Sequence, residues 1–176
     1  YGMYKVCADI NNVEYRPVLL DDNFQTTSEK LLGACDEHTK LIWICSPNNP
    51  TGNLIHRETI LSVIDRFEGI VIVDEAYSDF SSEQPLRARL GKYPNLIVLN
   101  TMSKAWGMAA IRMGMAFASE EIIGLFNKVK YPYNINQLAQ EQALEALNDP
   151  FGVDEWVRLL LRERGRVMTA FRELPI

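Results

Sequence analysis

The sequence predicts a three-layer α/β/α fold on a mostly parallel sheet, and three features predict it. Leu41-Ile42-Trp43-Ile44-Cys45, Ile70-Val71-Ile72-Val73 and Leu96-Ile97-Val98-Leu99 are short, unbroken apolar runs rich in β-branched residues. Continuous rather than alternating runs are how strands covered on both faces read, which is the situation in a parallel sheet. Between the first two lies a helical stripe of Ile60, Leu61, Ile64 and Phe67, closed by Gly69, so strand, helix and strand succeed one another at the spacing of a βαβ unit.

Further elements flank this unit. Val13 to Leu20 adds a candidate strand, and Met113 to Ala118 another. Ser119 caps a helix whose first turn carries Glu120 and Glu121, where acidic side chains suit the helix dipole. Gln137 to Leu147 reads as a helix. Asp149-Pro150 then reads as an N-cap with proline in the first helical position. From Phe151 to Leu174, Val153, Trp156, Val157, Leu160, Val167 and Phe171 recur at helical spacing. The arginines at 158, 162, 164 and 166 read as the solvated side of that long helix. A boundary near Asp149 divides the chain into 1–148 and 149–176.

Composition narrows the function. With 47% apolar residues in 176, the chain can bury a sizeable core. A net charge of −5 without a basic run argues against nucleic acid or an anionic membrane surface as partner. No apolar run approaches the ~20 residues of a membrane span. Three cysteines without a C-x-x-C pattern point away from a disulfide framework or zinc site, and toward a reducing, cytoplasmic setting. His38 and His56 are the only histidines, and no nucleophile elbow is present, so Ser-His-Asp hydrolysis is disfavoured. A nucleotide-binding domain is disfavoured too, because neither G-x-G-x-x-G nor a P-loop occurs.

The segments after the strands are the informative part. Ser46-Pro47-Asn48-Asn49-Pro50-Thr51-Gly52 comes after the first run, Asp74-Glu75-Ala76-Tyr77 ends the second, and Asn100-Thr101-Met102-Ser103-Lys104 ends the third. Singly, these are ordinary turn formers and surface charges. Ligands of open parallel sheets bind beyond the carboxyl ends of the strands, so together an amide, a carboxylate, a phenol, two hydroxyls and a lysine converge on one rim. Such a set suits pyridoxal 5'-phosphate (PLP), which needs a lysine amine, an acid opposite its ring nitrogen, partners for its ring hydroxyl, and hydroxyls with a guanidinium for its phosphate. Arg112 is placed to supply the last. Glu75, next to Asp74, is expected to face the other side of the sheet.

These three segments, with Arg112-Met113-Gly114 after Ser103-Lys104, resemble the signatures of the fold-type I PLP-dependent aminotransferases in order and spacing. Tyr1-Gly2-Met3-Tyr4 and Lys130-Tyr131-Pro132-Tyr133-Asn134-Ile135-Asn136 resemble the histidinol-phosphate type within that group. The resemblance implies Lys104 as the Schiff-base lysine and proton shuttle, and Asp74 against the pyridine nitrogen. It implies Asn49 and Tyr77 at the ring hydroxyl, Thr101, Ser103 and Arg112 at the phosphate, and Tyr1 stacked on the ring. It implies a cis Asn49-Pro50 bond, a homodimer, and transfer of an amino group between histidinol phosphate and the 2-oxoglutarate/glutamate couple. The family's large domain carries further strands and a phosphate loop upstream, and a small domain with a substrate-clamping arginine downstream. This chain is therefore expected to be an incomplete large domain whose last helix leads toward the small one. Aromatic-amino-acid aminotransferases and decarboxylases of amino-acid phosphates are the rivals within the fold. A truncated chain that only binds PLP or a partner is the rival outside enzymology.

Overall fold

The structure, a computed structural model, is described for residues 1–174; the last two residues of the 149–176 segment lie outside the described residues. Four strands form one sheet: β1 (Leu41–Cys45), β2 (Ile70–Asp74) and β3 (Leu96–Thr101) are parallel, and β4 (Gly114–Phe117) runs antiparallel beside β3. Six helices surround it: α1 (Met3–Ile10), α2 (Ser28–Gly33), α3 (Arg57–Arg66), α4 (Glu120–Val129), α5 (Gln137–Asn148) and α6 (Phe151–Phe171). No helix among the described residues is long and apolar enough to cross a membrane.

The two-residue period of a strand sorts the apolar runs into two layers. Ile42, Ile44, Val71, Val73 and Val98 face α3, where Ile60, Val63 and Ile64 meet them, with Leu31 and Leu32 of α2 packed alongside. Ile72 and Ile97 face the other way onto Ile122 of α4. Val63, Val71, Val73 and Val98 are fully buried, each contributing roughly 1.5–3 kcal/mol by leaving water. Helix α3 joins β1 to β2, while two short 3₁₀ turns, Ser78–Phe80 and Leu86–Arg89, carry the chain from β2 to β3. Ser119 caps α4 by accepting from the Ile122 amide.

Three local expectations change. Val13 to Leu20 forms no strand: Val13 and Leu19 are exposed, and Arg16 is drawn to Glu14 and Asp36 by ion pairs at 2.7 Å. Pro17 removes an amide donor, and no neighbouring strand among the described residues offers a ladder. Asp149-Pro150 opens α6 one residue later than expected. Pro150 itself is the cap residue, without a side-chain cap, and Asp149 ends α5 in a non-helical conformation, as a residue before proline tends to. Gly69 acts by absence of bulk, not as a left-handed cap. A Cβ there would lie 2.5 Å from the Lys40 carbonyl and 2.6 Å from the Phe67 ring, so β2 could not start where it does with any other residue.

Helix α6 is anchored by its first turns alone. Val153 and Val157 pack with Ala105, beside Phe80, Trp106 and Leu161. The indole Nε1 of Trp156 donates to the Ala105 carbonyl at 2.6 Å. The helix thus braces the segment just after β3.

Candidate active site

The carboxyl ends of β1, β2 and β3 deliver the predicted groups to one rim. Register sets this: Cys45 lies opposite Asp74, and Asp74 opposite Leu99. Beyond β1, the chain folds tightly on itself, with the Gly52 amide donating to the Asn48 carbonyl and the Asn48 amide to the Asn53 carbonyl, both at 2.8 Å. Gly52 adopts φ +75°, a conformation glycine takes without strain. The Asn49-Pro50 bond is cis as expected, and so is Ser46-Pro47, which the sequence did not announce. The turn points Asn49 at the residues beyond β2, where its Nδ2 donates to the Tyr77 hydroxyl at 2.9 Å.

Tyr77 in turn meets the lysine. Lys104 Nζ lies 5.3 Å from the Tyr77 ring centroid, over its negative face. Lys104 is exposed, and its carbonyl accepts from the Gly107 amide at 2.9 Å in a turn that Gly107 makes possible at φ +67°. Trp156 sits directly beneath that glycine, with a ring atom 3.9 Å from where a Cβ would be. The α6 anchor and the lysine turn are therefore one packed unit.

Asp74 is half-buried and held by two donors. The Ala76 amide reaches Oδ1 at 3.1 Å, and the Tyr4 hydroxyl reaches Oδ2 at 2.7 Å. Tyr1 is largely exposed and touches Tyr4 edge-on, with ring centroids 5.6 Å apart. Thr101 Oγ1 donates to the Met113 carbonyl and accepts from the Ser103 amide, both at 3.1 Å, which ties the end of β3 to the start of β4. Arg112 stands just before β4 in a left-handed conformation, φ 55°, with its guanidinium on the Ala109 carbonyl at 2.9 Å. The structure thus joins Asn49, Tyr77 and Lys104 in one cluster, Asp74 with Tyr1 through Tyr4 in a second, and Thr101 with Ser103 in a third. Arg112 is hydrogen-bonded to none of them.

Glu75 faces away from this rim, as strand alternation requires. It is 4% exposed; Oε1 accepts from the Leu86 amide at 2.8 Å, and Oε2 has no partner. Beside it is a cavity of about 20 Å³, lined also by Ser46, Arg57 and Ser78, with room for a single water. Burial pushes the Glu75 carboxyl above its ordinary 4.5, with Arg57 and Arg87 opposing. A raised folded-state pKa means the native protein holds a proton that the unfolded chain gives up, so stability falls as pH rises through that window. Glu75→Gln is accordingly expected to raise Tm near neutral pH, and the gain should vanish by about pH 4. Thermal melts at both pH values check this; an equal gain at each would show that charge is not the cause.

Sequence reasoning missed two participants. Tyr4 stands out in the sequence only as part of a motif shared with Tyr1, which lies before α1 and touches Tyr4 edge-on. Trp156 stands out only as part of a helical stripe; nothing local signals a bond to Ala105, 51 residues earlier.

Comparison with known proteins places the chain in a family. The profile of the family described as aminotransferase class I and II matches residues 1–174. Among curated relatives, the histidinol-phosphate aminotransferase of Bacteroides fragilis is 61% identical over 175 residues, covering 99% of this chain and 51% of the relative. That of Flavobacterium johnsoniae is 44% identical over 174 residues, covering 99% and 50%. The chain therefore spans about half the length of the curated relatives it matches. Of solved structures, the histidinol-phosphate aminotransferase from Clostridium acetobutylicum superposes with a TM-score of 0.91 at 26% identity, covering 98% of this chain and 53% of that one. The L-threonine-O-3-phosphate decarboxylase from Porphyromonas gingivalis gives 0.79 at 24%, covering 99% and 52%, a likeness of fold alone. With the family profile spanning nearly every residue, and the strand ends carrying the signature segments in order, the chain belongs to the class I and II aminotransferases.

Proposed function

We propose that this chain is the cofactor-binding part of a PLP-dependent aminotransferase that moves an amino group between histidinol phosphate and a 2-oxo acid. One observation carries the reading: Lys104 Nζ lies over the ring of Tyr77, whose hydroxyl accepts from Asn49, at the ends of three successive strands. The substrate is inferred from the 61% identity to a curated histidinol-phosphate aminotransferase.

The donor set suits the cofactor. PLP, when bound, supplies an aldehyde for covalent attachment and a ring that withdraws electrons from the substrate's Cα. Lys104 would supply the amine that attaches the cofactor and would hold or move the Cα proton at Nζ. Asp74 retains lone pairs beyond its two present donors, enough to accept from a protonated ring nitrogen. Asn49 and Tyr77 already form a polar pair fit to hold the ring hydroxyl. Thr101, Ser103 and Arg112 would bind the phosphate. Arg112 is exposed and held by one bond to a neutral carbonyl, which charge-assisted bonds to phosphate would replace. Tyr1 would stack on the ring.

In this reading residues 1–148 are large-domain structure and α6 leads toward a small domain supplied elsewhere in the intact protein. The reading also includes a cytoplasmic homodimer. Three free cysteines suit a reducing compartment, and exposed Leu138, Leu144 and Leu147 on α5 leave apolar surface for a partner.

The test is spectroscopic. PLP added to the intact protein should give a visible absorption band, and borohydride should fix the cofactor on Lys104. Histidinol phosphate should bleach that band, and a 2-oxo acid should restore it. Bleaching by aromatic amino acids alone, or release of carbon dioxide, would assign a rival activity of the same fold.

A further inference from the structure

The phenol of Tyr4 crosses 70 residues of sequence to reach Asp74 Oδ2 at 2.7 Å. It is not a loose surface contact. The Tyr4 ring lies against Trp43 of β1, centroids 4.8 Å apart and 33° between planes, so its hydroxyl is aimed by packing and not by the hydrogen bond alone. Trp43 and Cys45 share the sheet face of Ile72 and Asp74, because Trp43 pairs with Ile72 and Cys45 with Asp74. Tyr4 is one of only two residues of α1 that are not exposed, so this contact is much of what seats the helix. Burial, then the neighbouring Cys45 and Asp74, pushes the phenol's titration upward, so it is a donor at neutral pH.

A carboxylate on a short stem has a broad, shallow preference for its terminal torsion. Asp74 must present one lone pair in a fixed direction to serve a ring nitrogen. The Ala76 amide fixes Oδ1, which still allows the plane to tilt; a second donor on Oδ2 removes that freedom. Each oxygen keeps a further lone pair for a third donor. Resting on the reading of Lys104 and Asp74 given above, we propose that Tyr4 is a positioning residue: clamped by Trp43, its hydroxyl holds the Asp74 carboxylate in the orientation that accepts the cofactor's ring N–H. Tyr1 stands just before α1, so the same segment that holds the acid for the ring nitrogen also carries the aromatic residue that would cover the ring's face.

The experiment is a double-mutant cycle in the intact protein, with PLP as the ligand, comparing wild type, Tyr4→Phe, Asp74→Ala and the double variant. Phenylalanine keeps the ring on Trp43 and deletes only the hydroxyl, so the cofactor-free protein should stay folded, with Tm lowered by no more than the loss of one hydrogen bond. PLP should bind Tyr4→Phe roughly tenfold more weakly, the scale of one hydrogen bond to a charged group. In the amino half-reaction the maximal rate should fall, while the substrate concentration for half-maximal rate stays put. In the Asp74→Ala background, Tyr4→Phe should have no further effect on PLP affinity. Additive effects, or an unchanged affinity in Tyr4→Phe, overturn the role of Tyr4 while leaving the cofactor site intact. Failure of the wild-type protein to bind PLP at Lys104 overturns the underlying reading instead.

Discussion

Lys104→Ala abolishes transamination in the intact protein, a loss expected on the order of 10⁴-fold or more, the scale seen when a covalent nucleophile is removed. The size reflects how many tasks converge on one nitrogen. An amine that attaches the cofactor must be unprotonated to attack, and the same nitrogen must then leave and return. In the proposed reading the same Nζ also carries the Cα proton, and no other lysine among the described residues stands at the end of a strand on this rim: Lys40 lies before β1, Lys92 before β3, and Lys128 and Lys130 at the end of α4. Lys104→Arg separates the tasks. It keeps a cation beside Tyr77, yet a guanidinium cannot attack an aldehyde. It should therefore retain PLP without covalent attachment and be as inactive as alanine. Borohydride reduction and peptide mapping read this directly; a reduced adduct on the Lys104 peptide must be absent in both variants. More than trace activity in either would remove Lys104 from the chemistry.

Whether a feature is legible in the sequence depends on whether it is local. Ile70–Val73 and Leu96–Leu99 read as buried strands because β-branched apolar runs have few other places to go, and each lies inside β2 or β3. The chemistry is legible for the same reason. A residue directly after a buried parallel strand must emerge at its carboxyl end, so Asn49, Asp74, Tyr77, Thr101, Ser103 and Lys104 can be placed on one rim from order alone. Most of the failures depend on partners. Val13–Leu20 has apolar residues enough for a strand, but a strand needs a neighbour, and Lys30 instead binds the Leu19 carbonyl. Gly69 looks like a cap because helices often end in glycine; its real constraint is the Lys40 carbonyl at the start of the strand next door. Tyr4 on Asp74 and Trp156 on Ala105 are long-range pairs, and nothing in either residue's sequence surroundings encodes the other. Arg112 is legible as a cation near the site but not in its aim, which a left-handed backbone at the edge of β4 decides.

Asp74→Ala should leave the cofactor bound yet slow the amino half-reaction by roughly 100- to 1000-fold, comparable to the removal of one preorganised charge-stabilising group. Attachment through Lys104 and phosphate contacts do not pass through Asp74, so binding is weakened but survives. Reactivity does pass through it. A carboxylate holds a proton on the ring nitrogen, and only the protonated ring draws electron density efficiently from the substrate's Cα. The geometry supports a charge fixed in place: two donors on Asp74, half-buried at the end of β2, with Ile72 two residues earlier on the same apolar face. Asp74→Asn sharpens the case. Asparagine keeps one oxygen to accept from the Ala76 amide and turns its NH2 toward Tyr4, whose hydroxyl can accept instead, so the fold should be kept while the side chain carries no charge. If charge is what matters, asparagine and alanine should be slowed alike in single-turnover rates. If asparagine recovers near-normal rates, Asp74 serves only to fill space and seat Tyr4, and the acid at the ring nitrogen must come from elsewhere in the intact protein.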